Sequence, residues 1–372
     1  MRPVGRKGRT AKTVSGDVAF DREVYECPRC RQSEAPLDAE MGLGSHEHMT
    51  RQVVRKVAYL ASQSSYSEAA AELKELTGIE VSRAEYARVV EEDGSRIDHE
   101  QRQEEAKWTE AVREVGQAVE PLEIECERLV IEADATCALT VADEENKAVY
   151  CGTAFGLEDR GEKDGSQRPF IVKRRYTASA LDMEDFAGRL DALAMRMGMC
   201  KAKAVAFVGD GAQCLWNYAK DRLPRGTVLI QDYWHVCQRL CQLAEELFGQ
   251  GEICKAIQQT WKGALRESRL DDVLCALRAE HKKRRGAKRK RLEQEIHYLE
   301  SGRERMDYAR FEREGWPIGS GAVEGTCKHL VKERFCLTGA HWRRANIPKL
   351  LALRLAIFNE QWEKHWTNSR AA

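Results

Sequence analysis

Residues 204 to 236 read AVAFVGDGAQCLWNYAKDRLPRGTVLIQDYWHV, and they leave the chain few ways to fold. AVAFV is an unbroken apolar run of strand length, cut off by Gly209, Asp210 and Gly211. Such a run, bounded by a turn signal, suits a strand covered on both faces. AQCLWNYAKDRL then shows helical spacing, with Ala212, Leu215, Trp216 and Ala219 on one face and Pro224 as a stop. TVLIQ is a second apolar run and ends at Asp232, Trp234 and His235. Two strands joined by a helix predict a βαβ unit with a parallel pair, and ligands bind at the carboxyl ends of strands in open α/β sheets. Both strands finish in an aspartate at that end. Asp210 before a glycine can equally cap the following helix, so the rest of the chain has to decide.

At 372 residues the chain is long enough for two or three domains. Its 60 basic and 60 acidic residues balance, so any nucleic-acid surface has to come from local clustering. It contains no apolar run long enough for a transmembrane helix. MRPVGRKGRTAK lacks the apolar segment of a secretory signal. These features predict a cytoplasmic, nucleoid-associated protein whose 13 cysteines are mostly reduced, packed thiols.

From the N-terminus, a basic, Gly-rich stretch gives way to the strand-like GDVAFDREVYE and then to Cys27-Pro-Arg-Cys30. A C-x-x-C after a strand is half of a zinc ribbon, and no second one follows. His46 and His48 could supply two nitrogens, or belong to a polar loop. Residues 49 to 98 predict three short helices, the second started by Ser65 or Ser67 and closed by Gly78, the third capped by Ser82 and stopped at Gly94. That is a helix-turn-helix pattern, with Arg83 and Arg88 on the third helix available for DNA; a dimerisation module is the alternative. A charged, solvated connecting helix occupies residues 99 to 120.

From Glu123 the period changes to that of strands. ERLVIEAD ends in Asp134, CALTVADE and KAVYCGTAFG follow, and the three predict an antiparallel meander. Residues 156 to 167 read as a loop. LDMEDFAGRLDALAMRMGM is an amphipathic helix with Phe186, Leu190, Leu193 and Met197 on one face. Cys237 and Cys241 after His235 read as buried thiols. Residues 236 to 305 are helical throughout and hold HKKRRGAKRKR, in which Lys282, Lys283, Arg284, Arg285, Lys288, Arg289, Lys290 and Arg291 have no acidic residue among them. That pattern favours contact with DNA phosphates. Finally WPIGSGAVEG opens a helix with Ser320 as its N-cap, Glu324 near its first turn, and Lys328 and Lys332 beyond.

Asp134 and Asp210 at strand ends and Glu324 on a downstream helix make an acidic trio. The long interval between Asp210 and Glu324 reads as a helical insertion domain. Three carboxylates on an RNase-H-like sheet can hold two Mg²⁺ ions about 4 Å apart for phosphodiester cleavage and strand transfer. No Gly-rich phosphate loop follows a strand, which disfavours a metabolic α/β enzyme.

In CPRC, SYSEAAAELKELTGIEVSRAEYARVVEEDG, VGDGAQCLWN, LIQDYWHVCQRL and WPIGSGAVEGTCKHLVKERFCLTGAHW, taken in this order, the chain resembles the DDE transposases of bacterial insertion sequences, most closely the ISKra group. The resemblance implies Asp134, Asp210 and Glu324 as ligands of Mg²⁺ or Mn²⁺, with a structural or alternative-ligand part for Asp232 and His235. It implies double-stranded DNA as partner, both terminal repeats and target, and a homodimer or higher assembly on DNA. Because the family carries a full zinc ribbon, it also implies that the chain begins inside one, Cys27 and Cys30 being the zinc knuckle that remains. EADATC stands at Asp134 where the family more often has an Asp-Gly pair.

The expected architecture is α/β. A partial zinc ribbon and linker (1–45) and a helical DNA-binding domain (46–120) precede an RNase-H-like mixed sheet (121–240). A helical insertion (241–310) and the rest of the catalytic domain with a C-terminal helix (311–372) complete it. A non-catalytic DNA-binding relative and another RNase-H-fold nuclease are the alternatives.

Overall fold

In the computed structural model, which describes residues 1–43, 48–115, 122–161 and 167–367, the basic N-terminus is itself a strand. Arg2–Thr13 (β1) pairs antiparallel with Gly16–Glu26 (β2), and β2 with the short Ser33–Glu34 (β3). Only β2 carries a strand pattern in sequence; β1 is held by the ladder it makes with β2, its register shifting between Pro3 and Gly5. Cys27 and Cys30 are free thiols in the turn between β2 and β3. Among the described residues no third cysteine, histidine or carboxylate joins them, and His46 lies outside those residues.

Pro36–Glu40 (α1) leads to Arg51–Gln63 (α2), Tyr66–Thr77 (α3) and Arg83–Val115 (α4). Ser65 and Glu68 make a capping box at α3, and Ser82 and Glu85 exchange the same pair of bonds at α4. The expected stop at Gly94 is wrong. α4 runs straight through it, so the third helix and the connecting helix are one. A Cβ at Gly94 would lie 2.6 Å from the carbonyl oxygen of Lys349. The glycine therefore marks a close approach of two backbones, which offsets its helix-interior cost of about 1 kcal/mol. The continuation is not wholly solvated either, since Gln101 and Trp108 are buried.

Arg128–Ala138 (β4), Lys147–Gly161 (β5), Gln167–Ser179 (β6), Ala204–Gly209 (β7) and Val228–Gln231 (β8) form one mixed sheet in the order β6-β5-β4-β7-β8. β5 and β6 are antiparallel, whereas β4, β7 and β8 run parallel. Two expectations change here. β4 passes through Asp134 and continues to Ala138, so CALTVADE is not a separate strand; Thr140 keeps only an isolated bridge to Trp342. The supposed loop at 156 to 167 is ladder at 156–161 and 167, because the β5–β6 pairing reaches Gly161 and Gln167, and residues 162–166 lie outside the described residues. Glu158, Asp159 and Arg160 are exposed on that ladder rather than marking a break.

Met183–Arg196 (α5) and Gln213–Arg222 (α6) cover one face of the sheet. Phe186, Leu190, Leu193, Leu215 and Trp216 pack there against Leu129, Ile131, Ala133, Val205 and Phe207. The other face presents Val130, Ala206, Val208 and Ile230 to Tyr233–Phe248 (α7) and the helices after it. β7 is thus apolar on both faces, as its unbroken run requires, and each Val or Phe side chain so buried stabilises the fold by about 1.5–3 kcal/mol. The predicted helical segment continues as Glu252–Arg266 (α8), Leu270–Lys283 (α9), Gly286–Ser301 (α10) and a 3₁₀ turn at Arg303–Arg305. Tyr308–Arg313 (α11), Gly321–Thr326 (α12), a π-helical stretch Cys327–Lys332, Glu333–Phe335 (α13), Ile347–Phe358 (α14) and Trp362–Thr367 (α15) complete the chain.

The chain divides into two compact units. One comprises Met1–Gln103, Cys137–Ala148 and His329–Ala372, the other Glu104–Thr136 and Val149–Lys328. Within the first, Arg334 donates to the carbonyl of Ala61 (2.9 Å) and Arg354 to those of Leu330 (2.7 Å) and Ser62. These buried guanidiniums satisfy helix-end carbonyls. No helix among the described residues is long and apolar enough to cross a membrane.

Candidate metal centre

Ala133 of β4 pairs with Gly209 of β7, and Gly209 with Gln231 of β8. The next residue on each chain is an aspartate, so Asp134, Asp210 and Asp232 stand in one row across three neighbouring parallel strands. Strands in a sheet lie about 4.8 Å apart. By alternation this row continues the face of Val130, Ala206, Val208 and Ile230, and Glu132 belongs to the same face.

Each member has its own environment. Asp134 is half-buried; its Oδ1 accepts the Ala135 N–H (2.6 Å) and its Oδ2 the Cys327 thiol (3.7 Å). Burial pushes its pKa up and the charge of Asp210 adds to this, while the Ala135 N–H and the charge of His235 oppose it. Asp210 accepts the Ala212 N–H at 3.0 Å, closing the turn that leads into α6. Asp232 is fully buried and accepts three bonds. Its Oδ1 takes the His235 N–H (2.8 Å) at the start of α7, and its Oδ2 takes both the N–H (2.7 Å) and the hydroxyl of Ser320.

That last bond corrects an expectation. Ser320 occupies the N-cap position of α12 but makes no side-chain cap, because its hydroxyl is committed to Asp232. α12 is instead anchored by two acids of the sheet. Asp232 holds Ser320, and the buried Glu132 accepts the Val323 N–H at 2.8 Å. Glu324 follows immediately and is exposed.

Ligand atoms of Asp232, His235 and Glu324 all lie within 4.8 Å of one another, and among the described residues this is the one group of three at that spacing. Asp134 and Asp210 stand outside it. Ligands of two ions about 4 Å apart need not all be that close, since each binds only its own ion. The donor set fits a hard divalent cation. Among the described residues no Lys or Arg pairs with Asp134, Asp210 or Glu324, so neighbouring carboxylates are left without a Lys or Arg counter-charge, and their oxygens suit Mg²⁺ or Mn²⁺.

The basic residues are distributed unevenly. Arg83, Lys328 and Lys332 are exposed, and Arg88 pairs with Glu92 at 2.9 Å. The run at 281 to 291, free of acids in sequence, is not free of them in the fold. Lys283 (2.8 Å) and Arg284 (3.0 Å) pair with Glu280, Arg289 with Glu293 (3.5 Å), and Arg291 with Glu246 (3.7 Å) and the buried Glu295. Helical spacing of three or four residues supplies most of these partners from just outside the run. Lys282, Arg285, Lys288 and Lys290 stay exposed, with no carboxylate at ion-pair distance among the described residues.

Fold and site together define a mixed α/β protein with a row of aspartates at the carboxyl edge of its parallel strands. No protein-family model matches the chain, and no curated protein matches it.

Sequence reasoning missed Glu132, although its place two residues before Asp134 puts both on one face. Burial raises its carboxyl pKa to about 8, against the Val323 N–H and the charge of Arg174, which lower it. An unfolded Glu titrates near 4.3, about the reference value. The stability linked to the protonated form is full below that value, declines as pH rises, and is gone above about 8. Glu132→Gln has no such dependence. Urea unfolding of both proteins at pH 5 and pH 8 should show the parent losing on the order of 1–3 kcal/mol relative to the variant. A pH-independent difference would contradict a buried, neutral Glu132.

Proposed function

We propose that the protein is a DDE transposase that cleaves and joins DNA strands at insertion-sequence ends, on an RNase-H-like sheet. The observation that carries this reading is the in-register row Asp134, Asp210 and Asp232 with the Glu324 helix anchored at the same edge. The mixed sheet, and the helical segment between Asp210 and Glu324, are what the reading expects. Asp134, Asp210 and Glu324 would hold Mg²⁺ or Mn²⁺, with His235 and Asp232 beside them. Bound divalent ions supply an activated oxygen nucleophile and stabilise charge on the leaving oxygen.

The chain's own residues do the positioning. Asp232 and Glu132 fix the turn that presents Glu324, and the Asp210 loop is closed by its bond to Ala212. Lys282, Arg285, Lys288 and Lys290 are the cations best placed to hold double-stranded DNA, both element ends and target. Two ends must be held at once, so a homodimer or larger assembly acting on nucleoid DNA follows from the reading. A zinc ion on Cys27 and Cys30 would need further ligands.

The test is cleavage of a labelled duplex carrying the element's own ends, with Mg²⁺, Mn²⁺ or EDTA. Metal-dependent cutting and joining at those ends is the expected result. Preference for branched or hybrid duplexes would make the protein a different nuclease. Binding without cleavage would make it a non-catalytic relative.

Replacing Lys282, Arg285, Lys288 and Lys290 together by Gln should weaken duplex binding. The slope of log K against log salt should flatten by up to about 3–4, if each releases roughly one counterion. Lys283→Gln with Arg284→Gln should do less, because Glu280 already occupies both. An unchanged slope in the quadruple variant would return the segment to a solvated surface.

A further inference from the structure

We infer that Tyr298, on the last turns of α10, is the positioning residue for the Asp210 loop, an inference that rests on the proposed metal-dependent reading. Its hydroxyl donates to the backbone carbonyl of Asp210 at 3.4 Å. The loop is shaped to admit it. Gly211 has φ +110°, and a Cβ there would lie 3.0 Å from the Tyr298 hydroxyl oxygen and 3.1 Å from its Cε2. Gln231, which precedes Asp232, is buried against the same spot, its Nε2 lying 3.2 Å from that Cβ position. The phenol thus meets the strand ends that carry two of the three aspartates.

The ring is fixed from behind. The Arg239 guanidinium lies 4.0 Å from its centroid, a cation–π contact, and Arg239 is held by two bonds to Glu295, at 2.6 and 3.2 Å. Glu295 is fully buried and also binds Arg291, a member of the basic segment at the start of α10. Arg291, Glu295, Arg239, Tyr298 and the Asp210 loop therefore form one contiguous set of contacts. A ring chosen only for packing would not need its hydroxyl on the carbonyl of a site residue, and Phe would fill the same space.

The experiment uses that difference. Mn²⁺ binding is measured by the loss of the free-ion electron paramagnetic resonance signal, for the parent, Tyr298→Phe and Asp210→Ala. Melting temperature and duplex binding are followed on the same preparations. Tyr298→Phe should weaken Mn²⁺ binding about three- to tenfold, the worth of one neutral hydrogen bond. Its melting temperature and duplex affinity should match the parent's, while Asp210→Ala should lose Mn²⁺ binding altogether. Parent-like affinity in Tyr298→Phe, with binding lost in Asp210→Ala, overturns the inference and leaves the metal reading standing. A melting temperature that falls together with Mn²⁺ affinity makes Tyr298 a packing residue and also overturns it. Parent-like binding in Asp210→Ala overturns the metal reading and the inference with it.

Discussion

Asp210→Ala is expected to lower metal-dependent strand cleavage about a thousandfold or more, with folding nearly intact. The two effects separate because of what Asp210 touches. Its carboxylate accepts one protein hydrogen bond, from the Ala212 N–H, and has no cationic partner among the described residues. Losing that turn-closing bond costs about 1 kcal/mol. On the proposed reading, losing the Asp210 charge removes one carboxylate from the metal-binding row. Asp210→Asn keeps the side chain's shape and can keep the bond to Ala212, so it isolates the charge. Single-turnover cleavage of a labelled duplex, with circular dichroism melts of the same samples, reads both quantities. Full cleavage by Asp210→Asn would sink the assignment, since a neutral amide is a poor ligand for Mg²⁺. Glu324→Ala should behave alike with still less effect on folding, because Glu324 is exposed.

The parts of this centre that were legible in sequence are those written in local order. The apolar runs flanking α6 identify two buried strands, and Asp210 and Asp232 follow them directly. Their level with Asp134 is a matter of sheet register, which no local pattern carries. Glu132 shows why an alternating strand hides information. It looks like one polar residue beside an apolar centre, and its partner, the Val323 N–H, is far away along the chain. Ser320 has the chemistry of an N-cap, but a buried carboxylate with unused lone pairs competes for the same hydroxyl and wins. At Gly94 the local preference for a helix stop yields to a backbone contact with Lys349. The basic run misleads in the opposite direction. It is continuous along the chain, yet a helix places Glu293 and Glu295 one turn beyond Arg289 and Arg291, which divides the run into paired and free cations.

Asp232→Ala should cost far more stability than Asp210→Ala or Glu324→Ala, on the order of 3–5 kcal/mol in metal-free buffer. Asp232 is fully buried and satisfies the backbone N–H of His235 and of Ser320 as well as the Ser320 hydroxyl. Alanine leaves these donors without an acceptor and opens a void between β8 and the turn before α12. Asp232→Asn gives an intermediate result. An amide offers one oxygen to two N–H groups on opposite sides, so one of them faces its NH₂ group, at about 1–3 kcal/mol. The measurement also decides between two roles for this residue, because Asp232, His235 and Glu324 are close enough to share an ion. A clamp fails without metal, whereas a ligand fails only in binding metal. Denaturant unfolding in EDTA that leaves Asp232→Ala within about 0.5 kcal/mol of the parent, with Mn²⁺ binding lost, would make Asp232 a ligand. A large loss of stability in EDTA makes it the strut that holds the Glu324 turn against the aspartate row, and Glu324 then depends on Asp232 for its position rather than for shared coordination.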